Sequence, residues 1–401
     1  MNPEASRLWR GPRWTLAILL AGLAMVGPFS IDTFLPAFTG IAADLNATPL
    51  EMQQTLSSYL FGFAVMNLFH GSISDSVGRR PVILAGMALF AVASAGCALS
   101  GSIGQLVFWR TVQGMSAGAG VVCSRAIIRD MYPVHEAQKV MSQVTLFFGV
   151  APAVAPMVGG LLFVHLGWRA VFYFLVGVGV VLFVSQWRLL PETLHKKDRQ
   201  SFHPMVLLRE YARLTTSRSF LALAFAAGIP FNGVFIYILS APVFLGEHLK
   251  LAPTQFFWCF VCVVSGIMGG AFWSGRLAGK IKPRQQVRRG FIIMGAMTGL
   301  NLLMYFAFEP NAFWALPILA VFALGWSLVT PVITIMALDQ VPERRGMASS
   351  LQACIASLAN GAVAGLLAPM VMHSPMLLAL SSAVMMLIGL LSWTWVKRRV
   401  C

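Results

Sequence analysis

The chain has 401 residues, of which 58% are hydrophobic and only 11% are charged, and its mean hydropathy is +0.76. A soluble domain carries about 25% charged residues, so this composition excludes an ordinary soluble protein and predicts a polytopic membrane protein. The formal net charge of +15 comes from basic residues dispersed over short polar connections. That dispersal argues against a nucleic-acid-binding face, which needs a basic patch.

The apolar residues are grouped in runs of about 20, the length that crosses a bilayer as a helix. Twelve such runs are predicted, separated by short polar connections or by connections that contain Gly or Pro. They cover residues 14–38, 52–73, 81–100, 104–128, 138–163, 168–190, 219–242, 254–275, 288–308, 312–336, 346–370 and 375–396. The sequence therefore predicts an all-α integral membrane protein with twelve transmembrane helices.

The longest polar stretch, residues 191–218, separates the first six runs from the last six. We therefore predict an N-terminal half at 1–190, a cytoplasmic linker at 191–218 and a C-terminal half at 219–401. With both termini placed in the cytoplasm, the predicted outer connections hold only Arg169 and Lys250 as basic residues. This agrees with the tendency of Lys and Arg to remain on the cytoplasmic side. The basic N-terminus is predicted to precede a retained first span, because the run is too long for a signal peptide.

Asp32 lies inside the first apolar run. A carboxylate at such depth costs about 2.5 to 3.5 kcal/mol on insertion scales and normally faces a bundle interior or a wet cavity. The other acidic residues fall in predicted loops, in the linker or near the ends of runs, so Asp32 is the leading candidate for a proton carrier. The alternative is that Asp32 caps or hydrates the outer end of its helix, close to Pro36.

Arg110 is the only basic residue predicted inside an apolar run. An arginine stays protonated in proteins, and a positive charge near a carboxylate favours its ionised form. Arg110 is therefore predicted to act together with Asp32. The alternative is a structural role in which Arg110 binds backbone carbonyls.

The six cysteines do not indicate a disulfide scaffold, because five fall in predicted spans and the sixth is Cys401. Cys259 and Cys262 form a CxxC pair on an apolar helix, with no second pair and no partner histidine. We interpret them as packing residues and predict no metal site.

The stretch from Gly71 to Pro81 (GSISDSVGRRP) connects the second and third runs. Gly71 and Gly78 permit a tight turn, Asp75 can cap a neighbouring helix, and Arg79 and Arg80 stay on the cytoplasmic side. In a chain of twelve spans this stretch resembles the loop signature of the major facilitator superfamily.

Two further stretches support that resemblance. Residues 110–117 (RTVQGMSA) resemble the RxxQGxxxA motif, in which a buried arginine takes part in proton coupling. Residues 149–160 (GVAPAVAPMVGG) are similar to the GPxxGG motif associated with exporters, with Ala155 where glycine is usual. The proline and glycine residues of this stretch predict a bent, closely packed helix; they are Pro152, Pro156, Gly159 and Gly160.

Within the superfamily, residues 30–36 (SIDTFLP), 129–133 (RDMYP) and 345–351 (RGMASSL) resemble the Bcr/CflA drug-resistance exporters. The GWR of residues 167–169 and the PET of residues 191–193 belong to the same resemblance. It implies a proton/drug antiporter in the bacterial inner membrane that works by alternating access of its two halves. It does not identify the substrate.

The resemblance also implies roles for individual residues. Asp75 would cap the inner end of the helix that begins near Gly346, and Arg79 would pair with Asp130. Together with Arg80, these contacts would hold the cytoplasmic side closed. The substrate cavity would be lined by the first, fourth, seventh and tenth spans, which makes Phe34, Gln113, Asn232, Phe235 and Tyr237 candidate substrate contacts. For the aromatic residues, ordinary packing in the membrane is an equally good interpretation. His70 lies at the inner end of the second run, and one interpretation is a group that titrates near neutrality. The alternative is a lone interfacial histidine with no function.

Three classes of function remain. A proton-coupled exporter of small amphipathic drugs is favoured; the alternative is an exporter of a defined metabolite such as a nucleoside or a sugar derivative. A membrane enzyme would need a cluster of His, Asp, Glu or Cys in the spans, and a channel needs no coupling carboxylate. The expected partners are a small-molecule substrate, protons and the lipid bilayer. We expect no enzymatic activity, no cofactor and no nucleic-acid partner, and we expect a monomer.

Overall fold

The structure is a computed structural model of the chain. It describes residues 9, 13–132, 144, 152–199, 203–277, 280–340 and 345–397. Every regular element in these residues is a helix. The predicted all-α class is confirmed.

The chain divides into two compact units, Met1–Pro204 and Met205–Cys401, which we call the first and second units. The division falls inside the predicted linker. This linker contains a 3₁₀ turn, Lys196–Asp198, and an α-helix, Pro204–Thr215, with Tyr211 and Leu214 buried. The predicted bounds of the two halves and of the linker stay a prediction.

The first unit is built from long helices joined by short turns. Its helices are α1 Arg13–Asp32, α2 Phe38–Asp44, α3 Pro49–Val77, α4 Arg79–Ala98, α5 Ile103–Met131, α6 Pro152–Leu166 and α7 Trp168–Leu189. Helix α3 begins with a complete capping box, in which Thr48 and Glu51 satisfy each other's backbone amides.

The second unit has the same character, with two interrupted spans. Its helices are α8 Pro204–Thr215 (the linker helix, at the boundary), α9 Arg218–Gly228, α10 Asn232–Leu239, α11 Phe257–Leu277, α12 Pro283–Ala307, α13 Ala312–Asp339, α14 Arg345–Ala362, α15 Ala368–Val371 and α16 Pro375–Lys397. A 3₁₀ turn, Ile229–Phe231, separates α9 from α10, and a π-helical turn, Val363–Leu367, separates α14 from α15.

Nine segments of the described residues are long and apolar enough to cross a membrane, and α6 is a shorter apolar helix. Helices α3 and α5 have 29 residues each and coincide with two predicted spans, but the polar residues along them keep them outside that group of nine. The multi-pass architecture is thus present. The number of twelve spans stays a prediction.

Glycines let the helices of each unit approach backbone to backbone. A methyl group added at Gly114 of α5 would overlap the carbonyl oxygen of Tyr59 in α3, and one added at Gly62 would lie 2.5 Å from the carbonyl oxygen of Thr111. In the second unit, Gly266 of α11 meets the carbonyl oxygen of Ala320 in the same way. Small residues at such crossings are typical of membrane helices, since lipid supplies no hydrophobic force to hold helices together.

We expect Gly266→Ala to destabilise the protein by about 1 to 3 kcal/mol, because the added methyl group must push the Ala320 backbone away. The matched control is Gly275→Ala on the same helix, where an added methyl group has no atom within 4 Å. Thermal unfolding of the purified variants in detergent measures the difference. Equal midpoints for the two variants would contradict this account of the helix crossing.

Candidate functional site

Asp32 lies where the first span is interrupted. It is the last residue of α1, but the apolar span continues to Asp44. Residues 33 and 34 form a turn and Leu35–Ala37 form a single 3₁₀ turn before α2 begins. Asp32 is 6% exposed, and within the described residues its carboxylate has no hydrogen bond or ion pair. The carboxyl group therefore lies in the interior of the span, well before its end.

The predicted exporter motif packs against this interruption. A methyl group at Gly159 of α6 would overlap the carbonyl oxygen of Thr33, the residue after Asp32. Gly159 and Gly160 are buried, and so is Pro156, while Pro152 is the first residue of the helix and half-buried. The motif thus fixes the backbone beside Asp32. Residues 149–151 of the motif lie outside the described residues.

Arg110 is completely buried in α5. Its Nη1 donates to Gln113 Oε1 at 2.6 Å and to the Ser30 carbonyl oxygen at 3.3 Å. Its guanidinium carbon lies 4.6 Å from the ring centre of Phe34 and 4.4 Å from that of Tyr59. The two ring faces offset part of the cost of enclosing the charge. Among the described residues its Nε and Nη2 have no hydrogen-bond partner, so the guanidinium keeps donors that none of them uses.

Arg110 and Asp32 do not form an ion pair in the described part of the chain. Ser30 connects the Arg110 environment to α1, because its carbonyl accepts from Arg110 and its hydroxyl donates to the Tyr59 oxygen at 2.8 Å. Arg110 therefore binds a backbone carbonyl, as a purely structural role predicts, and it also has side-chain partners. Its action on Asp32 stays a prediction.

Gln113 and Phe34, two predicted substrate contacts, are engaged by the protein itself. Gln113 accepts from Arg110, and its Nε2 donates to Ser94 Oγ at 2.8 Å. Phe34 is fully buried and packs on Phe38 and Phe172, with ring centres 5.5 and 5.6 Å apart. Both residues shape the Arg110 environment. Their contact with a substrate stays a prediction.

The predicted turn of the loop signature depends on one glycine. Only Gly78 separates α3 from α4, and its φ of +117° is a conformation that other residues rarely adopt. Gly71 lies within α3, where an added methyl group would be 3.7 Å from a Val122 side-chain carbon. The prediction that Gly71 helps to form the turn is wrong, because the helix continues to Val77 and a single residue reverses the chain.

Arg79 lies at the centre of a charged cluster. Its Nη1 is 2.5 Å from Asp75 Oδ1 and donates to Ser74 Oγ at 2.6 Å, and its Nε is 3.2 Å from Asp130 Oδ2. The predicted contact between Arg79 and Asp130 is present. We call Asp75, Arg79, Asp130 and Glu192 the Arg79 cluster; its role as a gate stays a prediction.

Glu192 also belongs to this cluster. The sequence indicated the PET segment as part of the family resemblance but gave no role for its glutamate. Its Oε1 accepts from the backbone amide of Arg79 at 3.0 Å, and its Oε2 accepts from that of Arg80 at 3.2 Å. A carboxylate at a helix N-terminus satisfies free amides and interacts well with the helix dipole. A methyl group at Gly78 would lie 2.5 Å from Glu192 Oε2. The PET segment therefore closes the first turn of α4, and Thr193 donates to Asp130 at 3.2 Å.

The GWR segment has a comparable role at the end of the first span. Gly167 has a φ of +81° and precedes α7. Trp168 Nε1 and Arg169 Nη1 both donate to Asp44 Oδ2, at 3.0 and 2.7 Å. Asp44 ends α2, so these contacts fix the end of the first span against the start of α7.

The predicted contacts of the second unit are buried. Asn232 is 0% exposed, and neither its Oδ1 nor its Nδ2 has a hydrogen-bond partner. Phe235 stacks on Phe231 with ring centres 5.2 Å apart. The Tyr237 hydroxyl accepts from Asn301 Nδ2 at 2.8 Å. Of the three, Asn232 alone offers unused polar atoms; substrate contact by any of them stays a prediction.

Comparison with known proteins now decides the family. The sequence profile of the Major Facilitator Superfamily matches residues 15–364. The chain belongs to the Major Facilitator Superfamily. It is 30% identical to the bicyclomycin resistance protein homolog of Haemophilus influenzae, with 92% of each chain covered, and 29% identical to multidrug resistance protein D of Escherichia coli, with 94% of each covered.

The fold agrees with this assignment. The crystal structure of a bacterial homolog of the human lysosomal transporter Spinster matches with a TM-score of 0.69, covering 96% of each chain at 14% identity. At that identity the likeness concerns the fold alone. The predicted superfamily is confirmed, and the similarity to a bicyclomycin resistance protein homolog agrees with the predicted Bcr/CflA resemblance.

In this major facilitator protein, the first unit brings together motifs that are far apart in sequence. Arg110 contacts Ser30 and Gly159 contacts Thr33, on the two sides of Asp32. Arg79, Asp130 and Glu192 meet after α3. The motifs at residues 129–133 and 345–351 are described only in part. Pro133 and the side chains of Arg129 and Arg345 lie outside the described residues.

We expect Asp130→Asn to lower the stability of this protein by about 1.5 to 3 kcal/mol, the usual worth of hydrogen bonds to charged groups. The reason is that the Arg79 side chain is only 9% exposed and would lose one of its two carboxylates. The matched control is Asp44→Asn, whose partner Arg169 is 45% exposed, so little change is expected. Thermal unfolding in detergent compares them, and an equal loss in both variants would contradict the ranking.

Proposed function

We propose that this protein is a proton-coupled antiporter that exports small amphipathic drugs across the bacterial inner membrane. The observation that supports the proposal best is the Asp32 carboxyl group, which is buried inside a span with no partner among the described residues. Membership of a superfamily of membrane transporters, and similarity to two proteins named for drug resistance, supply the context.

The chemistry of Asp32 explains the coupling. Burial away from water disfavours a charged carboxylate, and a nearby positive charge favours it. Arg110 carries such a charge, held beside α1 through Ser30 and with two donors unused. A change in the distance between Asp32 and Arg110 would therefore switch the carboxyl group between binding and releasing a proton. One conformation would take the proton from outside, and the other would release it inside.

The Arg79 cluster supplies the second element of the cycle. Three chain segments converge on Arg79: the end of α3, the end of α5, and the PET segment after α7. We place this cluster at the cytoplasmic face, where it would keep the helices of the first unit together and close the inner side. Both termini would also lie in the cytoplasm, as the distribution of basic residues indicates.

The names of the relatives favour a drug exporter over a metabolite exporter. The Haemophilus influenzae relative is named for bicyclomycin resistance and the Escherichia coli relative for multidrug resistance. Exported nucleosides or sugar derivatives remain the alternative. We further propose that the protein has no enzymatic activity and needs no cofactor, that the proton gradient drives it, and that it works as a monomer.

A panel of bicyclomycin, chloramphenicol, a sulfonamide and uridine separates drug export from metabolite export. We expect the drugs to be taken up into inverted membrane vesicles with concurrent proton efflux, and uridine to be excluded. Proton movement is followed with a pH-sensitive dye, and vesicles without the protein are the control. Uptake of uridine alone would favour the metabolite alternative.

We expect Asp32→Asn to abolish export driven by a pH gradient while leaving folding and insertion intact. An amide cannot release a proton, and it is less costly than a carboxylate inside a membrane. Gradient-driven efflux from reconstituted liposomes, measured across pH and normalised to protein amount, checks this.

The matched control is Asp44→Asn, the same substitution at an exposed carboxylate of the same span, which should export normally. Full, pH-dependent uphill export by Asp32→Asn would contradict the assignment of this residue as the proton carrier.

A further inference from the structure

Helix α3 carries a row of buried polar side chains along one face. Tyr59, Asn67, His70 and Ser74 are all buried, and their spacing of three, four or eight residues places them on the same side of an α-helix. The row extends over about 22 Å, at 1.5 Å per residue. A polar row of this length inside an apolar bundle is costly, so it demands an explanation.

This face of α3 is in contact with α5 along its whole length. Tyr59 packs on Gly114, and further along Gly71 faces Val122. Between these contacts, a methyl group at Gly118 would lie 2.5 Å from Asn67 Oδ1 and 3.1 Å from His70 Nδ1. The Asn67 and His70 side chains therefore pack directly against Gly118 and fill the place where it has no side chain, in the seam between the two helices.

Asn67 Oδ1 and His70 Nδ1 form no hydrogen bond within the described residues, and each residue is only 5% exposed. Leaving a buried polar atom unpaired costs about 1 to 3 kcal/mol. A proton on His70 Nδ1, donated to Asn67 Oδ1, would remove that cost for both atoms. The two side chains therefore form a candidate proton site.

The two ends of the row reach the two functional clusters. At one end, the Tyr59 ring covers the Arg110 guanidinium, and the Tyr59 hydroxyl accepts from Ser30, two residues before Asp32. At the other end, Ser74 Oγ accepts from Arg79 in the Arg79 cluster. His70 lies one helical turn before Ser74. The row therefore connects the surroundings of Asp32 with the cluster that follows α3.

We propose that His70 is a second proton-binding group of the transport cycle, which relays the proton from Asp32 towards the cytoplasm, with Asn67 as its positioning residue. The proposal rests on the proposed function. When α3 and α5 separate during the cycle and water enters the seam, the carboxyl group of Asp32 gives its proton to that water and becomes a carboxylate. The lone pair of His70 Nδ1 takes a proton from that water chain, and the imidazolium then gives it to water at the Arg79 cluster and returns to neutral.

The surroundings of His70 suit a group that is charged only transiently. From α5 it is faced by Gly118, which carries no charge. The charged groups of the adjacent helices lie towards the two ends of the row: Asp32 and Arg110 at one end, and Asp75, Arg79 and Asp130 at the other. Among the described residues none of them contacts the imidazole. Burial disfavours a charged imidazole, so the proton would stay on His70 only while Asn67 Oδ1 accepts from it.

The first test is His70→Asn, which keeps a polar amide but cannot carry a proton. Its matched control is His165→Asn at an exposed histidine of the first unit. Two rates are measured in liposomes: export of labelled bicyclomycin driven by a pH gradient, and exchange of labelled for unlabelled bicyclomycin without a gradient. If another compound of the panel is exported faster, it replaces bicyclomycin.

We expect His70→Asn to slow gradient-driven export by roughly tenfold or more, as expected for the loss of a positioned proton-transfer group. Exchange should stay unchanged, because it needs no net proton release. His165→Asn should match the unaltered protein in both rates. Equal gradient-driven export in the two variants would overturn the relay, and so would an equal loss of export and exchange in His70→Asn, which would indicate a structural role.

The second test displaces Asn67 and His70 without removing either, because an added methyl group at Gly118 would lie 2.5 Å from Asn67 Oδ1. Gly118→Ala should slow gradient-driven export selectively, whereas Gly104→Ala on the same helix, where no atom of the described residues lies within 4 Å of an added methyl group, should not. If His70→Asn does not fold, this pair decides: normal gradient-driven export by Gly118→Ala overturns the proposal.

Failure of the relay and failure of the proposed function give different results. If Asp32→Asn loses gradient-driven export while His70→Asn and Gly118→Ala keep it, the antiporter function stands and the relay is wrong. If Asp32→Asn keeps gradient-driven export, the proposed coupling itself is wrong, and the relay with it.

Discussion

The cost of enclosing charge in an apolar helical bundle governs the first unit. Three ionisable residues inside it meet that cost in different ways. Arg110 lies between two aromatic rings, with Gln113 and a backbone carbonyl as acceptors. Arg79 is neutralised by two carboxylates. Asp32 has neither compensation within the described residues, and burial without a partner favours the uncharged form of a carboxyl group.

Close backbone packing is what makes these enclosures possible. Gly159 brings α6 onto the turn after Asp32, and Gly114 brings α5 onto Tyr59. A side chain at either position would separate the helices and admit lipid or water to the polar groups. The same seam contains Asn67 and His70, two buried polar side chains that pack against Gly118.

The short motifs of the sequence make specific contacts in the fold. Gly78 allows the chain to reverse within one residue, and Glu192 then closes the first turn of α4 from a segment more than a hundred residues away. The GWR segment does the same for the end of the first span through Asp44. Each segment ties the end of one helix to the beginning of another, as membrane helices with few polar contacts require.

The sequence by itself determined the class of protein, because hydropathy is a local property that needs no partner to be recognised. Its motifs indicated the superfamily by resemblance. It also marked Asp32 and Arg110 as candidate residues, because isolated charges inside apolar runs stand out without knowledge of their partners. It also anticipated the contact between Arg79 and Asp130. The role of Glu192, the helical position of Gly71, the separation of Asp32 from Arg110 and the unpaired atoms of Asn67 and His70 were decided only by the tertiary structure. Each depends on which helix faces which, and the spacing of residues along one chain does not contain that information.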